Sequence, residues 1–133
     1  DLFMGGIGVD GHLAFNEPFT SLSSRTGLRD LTTDTRIVNS RFFGNDPEKV
    51  PSQALSVGIG TVSDSKEVLV LISGHNKARA MAAVVEGGVS QKWTCSALQM
   101  HNAAIIACDE EACGELTVDT YKYFLDIESK ERL

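Results

Sequence analysis

The run Glu67-Val-Leu-Val-Leu-Ile72 constrains the fold more than any other part of the chain. It is β-branched at Val68, Val70 and Ile72 and almost continuously apolar, the pattern of a strand covered on both faces in a parallel sheet. Ser73-Gly74 then turns the chain into a helical pattern over about 76–86, closed by Gly87-Gly88. Shorter apolar runs at 1–4, 54–57 and 103–108 read as further strands, and 58–63 as one helical turn. The spacing predicts a helix over 33–43, with Ile37, Val38 and Phe42 on one side, bounded by Gly44-Asn45-Asp46-Pro47. A last helix is predicted over 118–127, with Tyr121, Phe124 and Leu125 as its buried stripe and Lys130 and Arg132 near its end. Strands alternating with helices predict an α/β, Rossmann-like three-layer fold with a mostly parallel sheet. Residues 1–133 read as a single domain without internal repeat or linker.

Composition narrows the function classes. A net charge of -6 and a pI near 4.9 disfavour nucleic acid and anionic membrane as partners, so an anionic ligand must be held by a local cluster of donors. No apolar run approaches the roughly 20 residues of a membrane span. Cys95, Cys108 and Cys113 form no C-x-x-C pair, which points to a reducing, cytoplasmic setting. Cys108, inside an apolar run, reads as a small buried hydrophobe. The chain opens with Asp1 directly into Leu2-Phe3-Met4, so it is read as a piece of something longer.

In parallel α/β sheets, sites form at the carboxyl ends of strands. Two glycine-containing loops follow predicted strands here, Gly5 to Gly11 and Ser73-Gly74. The first is the richer. Asp10-Gly11-His12 places an imidazole beside a carboxylate, and Glu17 follows five residues later. Flanking carboxylates hold an imidazole in one tautomer and suit it to shuttling a proton between two oxygens. The same residues also suit a structural role, with Asp10 and Glu17 capping turns, and composition leaves both readings open. Their spacing matches no metal-ligand pattern, so no metal is expected. Arg41 on the predicted helix and Lys77 at the start of the next one are candidates for a phosphate clamp, because a lysine at a helix N-terminus favours an anion there. His75 and His101 have no carboxylate nearby in sequence and read as structural or rim residues. Trp93 reads as core or pocket wall.

The segment Phe3-Met-Gly-Gly-Ile-Gly-Val-Asp-Gly-His-Leu-Ala-Phe-Asn-Glu-Pro18 closely resembles the signature of the glucosamine-6-phosphate deaminase (isomerase) family. Ser24-Arg-Thr26, Asn39-Ser-Arg-Phe-Phe43, Val50-Pro51, Ala54-Leu-Ser-Val-Gly-Ile-Gly-Thr61, Lys77-Ala78 and Tyr121-Lys-Tyr-Phe124 follow in the family's order. The resemblance covers essentially the whole chain, and only the carboxyl-terminal half of the usual family protein. It implies conversion of glucosamine 6-phosphate to fructose 6-phosphate and ammonia, with neither metal nor organic cofactor. By position, His12 would open the pyranose ring, Asp10 and Glu17 would orient and tune it, and Arg41 and Lys77 would hold the 6-phosphate. Residues 30–51 correspond to the family's active-site lid. The family's enolisation base and its glycine-rich phosphate loop belong to the other half, so this piece alone is expected to be inactive. Gly27 offers no side chain where allosteric members carry a basic residue, which leaves Arg25, Arg29 and Tyr123 as candidate remnants of an activator site. Asn102 stands where the family commonly has proline. A homo-oligomer of the full-length protein is left open.

Two other readings share part of this pattern. A 6-phosphogluconolactonase resembles the family and has a similar Gly-x-Asp-Gly-His turn, but lacks a glutamate matching Glu17. A sugar-phosphate-sensing domain of a regulator would share the fold without needing Asp10, His12 and Glu17.

Overall fold

The computed structural model describes residues 1–131. The apolar run at 67–72 forms the central strand of a parallel three-stranded sheet. Its neighbours are β1 (Leu2–Gly6) and β5 (Ala104–Cys108), with β4 (Glu67–Ile72) between them. The register aligns Phe3 with Val68 and Ala104, and Gly5 with Val70 and Ile106. Val68, Val70 and Ile72 point into a core closed by Met81 and Val84 of α3 (Ala78–Val85) and by Ala97 and Leu98 of a 3-10 stretch, Thr94–Met100. Each such aliphatic side chain contributes about 1.5–3 kcal/mol when removed from water.

The opposite face of the sheet is open among the described residues. Leu2, Met4, Leu71 and Ile105 are all exposed there. The expectation that β4 is covered on both faces is therefore met on one face only, and its burial alternates along the strand. The mostly parallel α/β architecture stands, with one helical layer present in this chain.

A second, two-stranded antiparallel sheet pairs β2 (Gly27–Asp30) with β3 (Gln53–Ser56). β2 was not foreseen, because Gly27-Leu-Arg-Asp30 carries a single large apolar residue. Between the two strands lies α1 (Thr33–Asn39), continued by 3-10 turns at Ser40–Phe42 and Pro47–Lys49. Thr32 caps α1, its side chain accepting from the Thr35 amide. The predicted helix over 33–43 thus ends at Asn39, and its apolar side faces solvent. Ile37, Val38 and Phe42 are 51%, 59% and 69% exposed, and the buried residue of α1 is Thr35. The helical turn predicted at 58–63 is α2 (Ile59–Ser63), which sends Ile59 and Val62 into the core.

The last helix, α4 (Val118–Glu131), follows Thr117, whose amide and hydroxyl both donate to the Glu86 carboxylate. Its expected buried stripe is not formed. Tyr121 is half-buried, and Phe124 and Leu125 are exposed. Arg132 lies outside the described residues. Cys108 is exposed rather than buried, because it ends an edge strand; its thiol lies 3.6 Å from that of Cys113. No helix among the described residues is long and apolar enough to cross a membrane.

Candidate active site

The site grows from the carboxyl end of β1. Beyond Gly6 the chain doubles back: Ile7 bridges to Leu13, the Gly8 amide donates to the His12 carbonyl at 2.8 Å, and the Gly11 amide donates to the Gly8 carbonyl. Gly11 has φ +77°, and a Cβ there would lie 2.4 Å from the Trp93 ring. A Cβ on Gly8 would lie 2.3 Å from Cε1 and 2.4 Å from Nδ1 of His12. Glycine at 8 therefore lets the imidazole lie against the backbone. Trp93 is a wall of this turn and half-buried.

The turn is bolted down from below. Leu13, wholly buried, donates its amide to the Thr94 hydroxyl, which itself donates to the Asn16 carbonyl. The Asn16 side chain is fully buried and donates to the Leu13 and Val57 carbonyls, while its oxygen accepts from Arg29 Nε at 3.1 Å. A rigid strand end and a saturated polar floor position the loop, so its side chains need little rearrangement to act.

His12, Asp10 and Glu17 meet above this floor. His12 Nδ1 lies 2.7 Å from Asp10 Oδ1 and 3.4 Å from Glu17 Oε2. Both approaches are bent, and neither Nδ1 nor Glu17 Oε2 has a linear hydrogen-bond partner among the described residues. Two carboxylate oxygens on one ring nitrogen require that nitrogen to carry a proton, which leaves Nε2 to take up or release the other. Asp10 Oδ1 also accepts the His12 amide. The bent hydrogen bond from the His12 ring holds the Asp10 carboxyl below its ordinary value of 3.8, outweighing the upward push of partial burial. Glu17 is buried, and its other oxygen, Oε1, accepts from the Thr32 amide, the Thr32 hydroxyl and the Thr35 hydroxyl at 3.2, 3.3 and 2.5 Å.

One ligand atom from each of Asp10, His12 and Glu17 lies within 4.8 Å of the others, so a cation is the alternative occupant. Two ligands bound to one ion at about 2.1 Å would stand roughly 3.0–3.4 Å apart. The 2.7 Å separation of His12 Nδ1 and Asp10 Oδ1 is shorter than that, the distance of two groups in direct ion-pair contact.

The remaining candidates fall in different places. Lys77 lies in a 3-10 turn, His75–Lys77, ahead of α3, and its Nζ donates to the Ile7 carbonyl at 2.7 Å. Burial pulls its ammonium below the ordinary lysine value and the charge of Asp10 pulls it back, so Lys77 belongs to the same neighbourhood as the triad. Arg41 is exposed, with its guanidinium 4.8 Å above the Phe42 ring. No hydrogen bond or ion pair among the described residues joins it to the triad. Arg25 pairs with Asp64 at 2.7 Å. Arg29 donates to Asn16, to the Leu28 carbonyl and to the Arg25 carbonyl. Tyr123 packs edge-on against Phe124 in a groove beside Glu86 and Thr117, while Asp64, the partner of Arg25, lines a different groove with His101. His101 is structural, its ring joining the Ser65 carbonyl and the Ala103 amide. Cys95 is buried behind Gly11, and burial pushes its thiol up to about 12.

Gly8, Thr32 and Thr35 were not singled out from sequence. Glycine at 8 is one of four in the loop, and two threonines fifteen or more residues from Glu17 carry no local signal of contact with it.

No family model matches the chain. It is 67% identical over 128 residues to the glucosamine-6-phosphate deaminase of Phocaeicola vulgatus, an alignment spanning 96% of this chain and 49% of that protein. This segment is closely similar to one half of a glucosamine-6-phosphate deaminase. Relatives of that name from Parabacteroides distasonis and Bacteroides thetaiotaomicron are each 63% identical, with 47% and 48% of their lengths matched. The chain thus spans about half the length of the curated family members it matches. A solved structure described as a monomeric glucosamine-6-phosphate deaminase, a missing link of the NagB superfamily, superposes with a TM-score of 0.81 at 42% identity. That match covers 85% of this chain and 46% of the other, and bears out the α/β, mostly parallel architecture.

Proposed function

We propose that the polypeptide carrying this segment converts glucosamine 6-phosphate to fructose 6-phosphate and ammonia. The observation that carries the reading is the convergence of Asp10 and Glu17 on one ring nitrogen of His12, in a chain closely similar to proteins named for that reaction. The two carboxylates keep the proton on Nδ1, so Nε2 moves a proton between the anomeric hydroxyl and the ring oxygen and opens the pyranose. Lys77, already drawn to the triad loop, takes the 6-phosphate when it leaves the Ile7 carbonyl. Arg41 joins it when residues 30–51 close as a lid, a movement compatible with the exposed apolar side of α1. Transfer of the proton between C2 and C1 requires a further base, which this reading assigns to the part of the polypeptide outside the segment. The 133-residue segment by itself therefore releases no ammonia.

All three guanidinium nitrogens of Arg29 donate within the chain, which argues against its use in an activator site, while Arg25 pairs through Nη1 alone with Asp64. A cytoplasmic enzyme of the amino sugar catabolic route is the setting this reading implies, and self-association of the complete protein belongs to the same proposal.

The test is to supply glucosamine 6-phosphate to the full-length polypeptide and measure ammonia and fructose 6-phosphate. The account expects equal amounts of both. Hydrolysis of 6-phosphogluconolactone without ammonia would move the assignment to a lactonase. Tight binding of a sugar phosphate with no turnover of either compound would move it to a sensing domain.

A further inference from the structure

The Glu17 carboxylate is divided between two parts of the molecule. Oε1 is saturated by three donors from the head of α1: the Thr32 amide, the Thr32 hydroxyl and the Thr35 hydroxyl. Oε2 faces His12 Nδ1 at 3.4 Å and has no hydrogen-bond partner among the described residues. Thr35 makes the shortest of the three contacts and is the one buried residue of α1. No hydrogen bond among the described residues joins Thr35 to His12 directly. A carboxylate is planar, so fixing one oxygen fixes where the other points.

We propose that Thr35 is a positioning residue for His12, acting through Glu17, and that it ties the placement of the 30–51 segment to the orientation of the imidazole. With α1 seated as here, Glu17 presents Oε2 to the ring. If α1 moves, Oε1 loses three donors together and the carboxylate has no reason to keep this angle. His12 is then in its working geometry only while the head of the segment is in place. A threonine suits this role because its hydroxyl donates to Glu17 while its methyl fills the buried space. Charge-assisted hydrogen bonds of this kind are the strong ones, so removal of one is felt. The inference rests on the reading of His12 as the proton-moving group, but its geometry can be tested without turnover.

The experiment uses the full-length polypeptide with Thr35→Val, which keeps the shape, Thr35→Ser, which keeps the hydroxyl, and Glu17→Gln. Ring nitrogen and carbon resonances of His12 are recorded by NMR in each. Thr35→Val is expected to move the His12 signals in the direction that Glu17→Gln moves them, and Thr35→Ser to return them. Kinetically, Thr35→Val is expected to lower kcat roughly tenfold with little change in KM, the loss of one hydrogen bond to a charged group. In a Glu17→Gln background the same substitution is expected to cost almost nothing further, because the path is already cut. Unmoved His12 resonances in Thr35→Val, alongside moved ones in Glu17→Gln, would overturn the proposal. So would full additivity of the two substitutions. If Thr35→Val does not fold, Thr35→Ala and Thr32→Val are read in the same way. Absence of ammonia from the unmodified protein would sink the functional reading while leaving the resonance test intact.

Discussion

Gly8 lies directly against the His12 imidazole, so close that a methyl group on it would stand 2.3 Å from Cε1. Nothing in the backbone of Gly8 itself demands glycine by a left-handed φ. The requirement comes from the ring that rests on it. Gly8→Ala must therefore push His12 off its two carboxylates. We expect folding to survive and kcat for the full-length protein to fall by roughly 10²-fold, the scale of an ångström-sized misplacement. Steady-state kinetics with a circular dichroism control checks this; unchanged kcat would show that His12 is not held where the structure has it.

Asp10 sets an acid limit to stability. Its folded pKa is lowered by the His12 ring, so its contribution is fully present above the unfolded value of about 3.9 and is lost as pH falls through the lower folded one. Thermal melts should accordingly show the native protein losing stability faster below about pH 4 than Asp10→Asn does. Parallel curves for the two proteins would contradict the assignment. The side chain is 38% exposed, so the difference is a matter of slope and not of collapse.

Arg29 is predicted to act as a brace. Its Nε satisfies the oxygen of Asn16, which is fully buried beneath the Gly5–Pro18 turn. Arg29→Met keeps the apolar stem but leaves that oxygen without its donor, at a cost of about 1–3 kcal/mol. Denaturant unfolding measures it. Weakened binding of an activating sugar phosphate, with no loss of stability, would instead make Arg29 part of an effector site.

The parts of this architecture that were legible in sequence are those whose signal is local. Glu67–Ile72 was bounded to the residue because β-branched apolar runs have few alternatives. The Gly5–Pro18 turn was legible because its glycines, carboxylates and histidine are contiguous. What failed depended on packing partners. Ile37, Val38, Phe124 and Leu125 have helical spacing, yet the apolar sides of α1 and α4 are exposed here, as is the sheet face carrying Met4 and Ile105. Periodicity says which residues share a side, and not whether anything covers it. The placement of Thr35 on Glu17 was invisible for a related reason: a contact across 18 residues depends on how β2 and β3 fold back, and β2 has almost no apolar pattern of its own.

The central claim is that His12, steered by Asp10 and Glu17, moves the proton that opens the sugar ring. The measurement that tests it most directly is the steady-state release of ammonia from glucosamine 6-phosphate by the full-length polypeptide and its His12→Gln variant. The account predicts that kcat falls by about 10²–10⁴-fold, the range of a lost general acid–base, while KM stays within a few-fold because His12 does not grip the phosphate. A variant that retains kcat, or one that loses only affinity for the substrate, would contradict it.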